Sequence, residues 1–137
     1  MIKTREKIYG RDCFERVYFA HRGLHDRQNG IPENSMGAFR EAVSKGYGVE
    51  LDVQLSRDGQ VVVFHDDTLD RMCGVNGHVD EYTYEELHSM SLLGTEYTIC
   101  LFSDILDVLA EGSGPLLCEL KTGKNNKELC EKTYRLL

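Results

Sequence analysis

Two acids stand two positions apart inside an apolar run, Val49-Glu50-Leu51-Asp52-Val53. The run reads as a strand, so Glu50 and Asp52 share one face while Val49, Leu51 and Val53 share the other. For an isolated Glu-x-Asp, a solvent-facing strand surface would explain the pattern. Here strand and helix signals alternate along the chain, as in parallel α/β folds, whose strands are covered on both faces and apolar throughout. Acids in such a strand need a chemical reason.

The alternation begins with Val17-Tyr18-Phe19-Ala20, a short strand signal that stops at His21-Arg22-Gly23. Pro32 and Asn34 announce a helix of about three turns carrying Met36, Phe39, Ala42 and Val43, with Gly46 at its C-terminal end. Asp58-Gly59 between the second strand and Val61-Val62-Val63-Phe64 predicts an antiparallel hairpin that returns His65 towards Asp52. Residues 67 to 100 form a Gly-rich excursion with a helix from Tyr84 to Met90, announced by Thr83 and Glu86 at capping-box spacing. Ser103 is expected to cap the next helix, Leu116 to Leu120 to form a strand, and Asn126 to Leu137 a final helix.

A chain of 137 residues with 41% hydrophobic content can bury one core, so one globular domain over 1–137 is expected. The net charge of -7 argues against nucleic-acid binding, which needs clustered Lys and Arg. It leaves room for a small phosphate ester where a few cations converge. Cysteines at 13, 73, 100, 118 and 130 are odd in number and lack a Cys-x-x-Cys pair, which predicts reduced, buried thiols. Residues 1 to 16 show no signal-peptide pattern, and no apolar run reaches the roughly 18 residues of a membrane span. A cytoplasmic enzyme without a membrane segment is expected.

Glu119 and Lys121 share a face of the later strand. With Glu50 and Asp52 they place three carboxylates on neighbouring strands, a set suited to Mg²⁺ or Ca²⁺, whereas zinc would favour histidine or cysteine. His21 and His65 stand at strand ends and have the side-chain type that exchanges protons near neutral pH. Arg22 offers a planar fork for phosphate oxygens and Lys121 a point charge. A hydrogen-bonded structural role is the plainer reading for a lone histidine and is kept for His25, His78 and His88. Glu33 and Asn34 read as a loop that positions the site, and Asp66 and Arg71 as tethers of loops around it.

Together, His21-Arg22-Gly23, Pro32-Glu33-Asn34, Glu50-Leu51-Asp52-Val53, Asp58-Gly59 with His65-Asp66, and Glu119-Leu120-Lys121 resemble the glycerophosphodiester phosphodiesterase family. Each motif is weak alone, but their order and spacing across residues 17 to 121 are specific. The resemblance implies an α/β fold, a TIM-type (β/α)8 barrel of the phospholipase-C-like phosphodiesterase kind. It is cut here to roughly the N-terminal half, with a small insertion at about 67–100. The family's metal ligands match Glu50, Asp52 and Glu119, its acid/base pair His21 and His65, and its phosphate contacts Arg22 and Lys121. Glu33 and Asn34 match its supporting loop. Cys100 stands where family members usually place a proline.

The implied activity is metal-dependent hydrolysis of small glycerophosphodiesters to glycerol phosphate and an alcohol, in lipid metabolism. The alternatives are a related head-group phosphodiesterase, or an inactive fragment that binds metal or another chain. A TIM barrel takes about 250 residues, and only three barrel strands plus the hairpin strand are legible. Open sheet edges and self-association are therefore expected.

Overall fold

The structure, a computed structural model, describes residues 17–137. Five strands form one sheet: β1 (Phe19–His21), β2 (Gly48–Leu55), β3 (Val61–Val63), β4 (Cys100–Leu101) and β5 (Leu116–Leu120). The helices are α1 (Met36–Ser44), α2 (Asp70–Cys73), α3 (Tyr84–His88), α4 (Phe102–Leu109) and α5 (Asn126–Leu136).

β2 is the shared strand. Val49 pairs in parallel with both Ala20 of β1 and Leu116 of β5, so those two strands lie on opposite sides of it. Val53 pairs with both Val63 of β3 and Leu120 of β5, which puts antiparallel β3 on the same side as β1, further along. The predicted hairpin is present. Gly59 takes φ 74, a conformation glycine adopts without steric cost, and Ser56 Oγ donates to Asp58 Oδ1 at 2.6 Å across the turn. Lys132 of α5 donates to Gly59 O at 2.6 Å and pairs with Glu128 at 2.7 Å, which pins the last helix to this turn.

Local signals fix most helix ends. Ser35 caps α1 by accepting from Ala38 N, and Gly46 (φ 72) follows its last turn. Thr83 and Glu86 make the reciprocal capping box of α3. Ser103 does not cap α4: the helix already starts at Phe102, and Leu101, its N-cap, supplies no side-chain bond. β4 runs directly into α4, and fully buried Phe102 anchors the junction. Cys100, at the end of the predicted excursion and where family members usually place a proline, is thus a strand residue. The first strand also begins later than predicted and ends on His21.

Two apolar clusters result. One packs Val49, Leu51 and Val53 of β2 against Phe39, Phe102 and Ile105 of α1 and α4. The other lies within the 67–100 segment, where Leu69, Met72, Val79, Leu87, Leu92 and Ile99 gather on Val62 and Phe64. The described cysteines are free, and burial pushes the Cys73 and Cys118 thiols up to about 11 and about 12. Cys130 is exposed, contrary to expectation, because it lies on the outer side of α5; Cys13 falls outside the described residues. Among the described residues no helix is long and apolar enough to cross a membrane.

Candidate active site

The β2–β5 register sets Glu50 opposite Leu117 and Asp52 opposite Glu119. Carboxylate oxygens of Glu50, Asp52 and Glu119 consequently lie within 4.8 Å of one another. Asp52 is the buried member, 1% exposed. Its Oδ2 accepts from Asn34 Nδ2 at 3.0 Å and lies 3.6 Å from Arg22 Nε, while its buried Oδ1 has no hydrogen-bond donor and sits 3.8 Å from Lys121 Nζ. Glu50 Oε2 accepts from Arg22 N at 3.0 Å, with His21 Nε2 at 3.8 Å. Lys121 donates to Glu119 at 3.0 Å and holds that carboxyl below its usual range. Partial burial opposes the charge on Lys121, but Glu119 prevails and raises its pKa.

Three clustered carboxylates share two nearby cations, Arg22 and Lys121, and the buried Asp52 Oδ1 is left without a hydrogen-bond donor, so the cluster keeps an excess of negative charge and an unmet acceptor. An all-oxygen donor set of this kind fits a hard divalent cation. Residues Glu50, Asp52 and Glu119 could hold it.

The loop after β1 is bent to serve this cluster. Arg22 and Asn34 take φ 57 and 53, uncommon for non-glycine residues, and Asn34 N donates to Arg22 O at 2.8 Å. Gly23 is required: at φ 78 a Cβ would lie 2.8 Å from the Ala38 side chain. The bend turns the Arg22 amide onto Glu50 and its guanidinium onto Glu33, at 2.9 Å.

A second cluster flanks the first. Asp66 contacts His65 Nδ1 at 2.7 Å and Arg71 Nε at 2.6 Å, and Arg71 also reaches Glu33 at 2.7 and 3.1 Å. Hydrogen bonds from Arg71 hold the Asp66 carboxyl at about 2. Ionised, Asp66 only accepts, so His65 Nδ1 bears the ring proton and Nε2 is left as the basic nitrogen. Burial pushes Glu33 up, but bonds from Arg71 and Arg22 more than offset it, so Glu33 stays below the usual carboxylate range. Glu33, His65 and Asp66 are close enough to suggest a second metal site. The Arg71 guanidinium already supplies the cation there.

The family model for the Glycerophosphoryl diester phosphodiesterase family matches residues 21–136. The chain belongs to this family. A glycerophosphodiester phosphodiesterase of Bacillus altitudinis is 40% identical over 124 residues, 85% of this chain and 46% of its own length. Glycerophosphodiester phosphodiesterase 1 of Homo sapiens is 39% identical over 93 residues, 66% of this chain and 24% of its own. An Oleispira antarctica phosphodiesterase, solved in complex with the product sn-glycerol-3-phosphate, superposes with TM-score 0.79 at 28% identity, over 88% of this chain and 51% of that one. The glycerophosphodiester phosphodiesterase of Thermotoga maritima gives 0.69 at 29% identity, over 88% and 49%. The chain thus spans less than half the length of these curated relatives and about half of the solved chains. Its open α/β sheet is part of the TIM-type barrel of glycerophosphodiester phosphodiesterases.

Every candidate site residue lies in one of the two linked clusters. Glu50 sits in the middle of its strand rather than at the end, because pairing with β3 prolongs β2 to Leu55. His88 contacts Tyr84, Thr98 and Ile99 within the 67–100 segment, away from the site. Gln54 was missed: its Nε2 donates to Phe64 O at 2.9 Å and Asp66 O at 2.7 Å, fixing the His65 loop. The two-residue period that singles out Glu50 and Asp52 reaches Gln54, and that was the available signal.

Proposed function

We propose that a protein carrying these residues on a complete barrel hydrolyses glycerophosphodiesters to glycerol phosphate and an alcohol, using Mg²⁺ or Ca²⁺ held by Glu50, Asp52 and Glu119. The observation that carries the reading is the carboxylate cluster with its orphaned Asp52 oxygen, flanked by Arg22 and Lys121. The product bound to the Oleispira antarctica relative supports a small glycerol phosphate ester as substrate. When bound, the cation supplies Lewis-acid polarisation of the phosphoryl oxygens and neutralises charge as the ester breaks. Arg22 and Lys121 contact the phosphate oxygens. One of His21 and His65 takes the proton of the attacking water or of the neighbouring glycerol hydroxyl, and the other returns a proton to the departing alcohol oxygen. Where the hydroxyl attacks, a water then opens the resulting cyclic phosphate to glycerol phosphate, with the two histidines exchanging roles. Asn34 and Glu33 hold Asp52 and Arg22 for that work. Free thiols at the described cysteines favour a reducing compartment, the cytoplasm.

The test is release of glycerol phosphate from glycerophosphocholine by the full-barrel protein, with and without divalent metal. Loss of activity on chelation and return with Mg²⁺ or Ca²⁺ is expected. Full activity in excess chelator overturns the metal assignment.

A further inference from the structure

We propose that Arg71 is a positioning residue that couples His65 to Arg22 through one chain of alternating charges, His65-Asp66-Arg71-Glu33-Arg22. The proposal rests on reading His65 and Arg22 as the proton-transfer and phosphate groups. It adds a residue from outside the five motifs and gives the 67–100 segment a task at the site.

Four hydrogen bonds leave one guanidinium: Nε and Nη2 to Asp66 at 2.6 and 2.9 Å, Nη1 and Nη2 to Glu33 at 3.1 and 2.7 Å. Beyond Glu33 the chain continues to Arg22 Nη1 at 2.9 Å, and beyond Asp66 to His65 Nδ1 at 2.7 Å. Only a planar fork spans two carboxylates in this way; a lysine ammonium is a point charge on a flexible stem. The base of the fork is rigid. Arg71 stands on α2 between Asp70 and buried Met72, whose carbonyl accepts from Leu93 N at 2.6 Å, and α2 is seated in the second apolar cluster. Without Arg71, two carboxylates within 4.8 Å of each other would face their mutual repulsion with Arg22 alone beside Glu33. Their loops, which carry His65 and Arg22, would then move apart. The segment thus acts on the site through a strut, not through a residue that touches substrate.

The experiment uses the 137-residue chain with ¹⁵N-labelled histidine, and reads the ring tautomer of His65 by NMR well above the imidazole range near about 6.5. Turnover is not needed, so a failed activity assay and a failed coupling are separate results. The wild type is expected to hold the proton on Nδ1. Arg71→Lys and Arg71→Gln should each move the tautomer ratio by about five-fold, the scale of one net hydrogen bond. Glu33 bonds to Arg22 and Arg71 rather than to His65 or Asp66, but its carboxylate lies within 4.8 Å of both, so it is read in a double-mutant cycle. Coupling predicts that Glu33→Gln shifts the same ratio in the wild type and adds nothing in the Arg71→Lys background. His88, which contacts Tyr84, Thr98 and Ile99 and none of the five charged residues, is the internal control. If the folded Arg71 variants melt earlier yet keep the wild-type His65 ratio, Arg71 is merely structural and the proposal falls. It falls equally if Glu33→Gln leaves His65 unchanged. Should Arg71→Gln fail to fold, the cycle of Glu33→Gln with Arg71→Lys decides, and a Glu33→Gln shift that persists undiminished in Arg71→Lys overturns the proposal.

Discussion

The two acids of β2 and the acid of β5 belong to one cluster but live under different physics. Asp52 is 1% exposed and gripped by Asn34 and Arg22, on a strand hydrogen-bonded along both sides. The side chain of Glu119 is 55% exposed and bonded to Lys121, and among the described residues β5 pairs only with β2. Beside it Leu117, 54% exposed, turns an apolar side chain onto the same uncovered face. A ligand set is as well organised as the least supported strand that carries it. Here one flank is built and the other awaits a neighbour.

The largest expected effect comes from leaving that flank open. The 137-residue chain by itself should release no glycerol phosphate and should sediment as self-associated species, since an unpaired strand edge with an apolar face recruits another chain. A compact, fully active monomer would break the comparison outright. Next come the histidines, one fixed by Asp66 and one held only at 3.8 Å from Glu50. In the full-barrel enzyme His65→Ala and His21→Ala should each lower turnover by at least about 100-fold, the worth of a positioned acid or base, with metal affinity near wild type. Normal turnover in either variant returns that histidine to a structural role.

Calcium titration sharpens the contrast between the flanks themselves. Asp52→Ala should weaken binding to the 137-residue chain by about 100-fold and Glu119→Ala by about 10-fold, bracketing the range in which support for a metal site is usually felt. Equal losses would mean that the exposed strand is as well organised as the buried one. The smallest effect lies in the pH dependence of the built flank. The folded Asp66 carboxyl, at about 2, lies below its ordinary 3.8, so its contribution to stability is complete above that value and is lost as pH falls towards about 2. With Arg71 half exposed to screening solvent, the loss should be on the order of 1 kcal/mol. Thermal unfolding across this acid range should show it in the wild type and flatten it in Arg71→Gln.

What was legible in the sequence follows from the range over which each signal acts. Alternation across Glu50, Leu51 and Asp52, the Asp58-Gly59 turn, and Thr83 with Glu86 are local patterns, and each element formed where its residues predicted it. β4 has two residues, too few for any periodicity, so it was invisible, and with it the reason that α4 starts at Phe102. Four of the five motifs sit on or beside strands and Pro32-Glu33-Asn34 precedes α1, and the fold brings their residues into the two clusters. Arg71 reads as a loop tether and Gln54 lies on the same two-residue period, but their partners, 38 and 12 residues away, are found by folding the chain rather than by reading it.

Lys132 reaches the Gly59 carbonyl across 73 residues of chain. That contact closes a long loop, and the hairpin turn it grips has to exist before there is anything to grip. Loop closure of this length brings its reward late on the route from unfolded to native chain. The staple should therefore be absent from the folding transition state. Lys132→Met should accelerate unfolding in stopped-flow denaturant jumps while leaving the refolding rate as it was, because a contact made after the barrier governs only the return over it. The last helix then serves as a latch on persistence, setting how long the fold endures and not how quickly it is found.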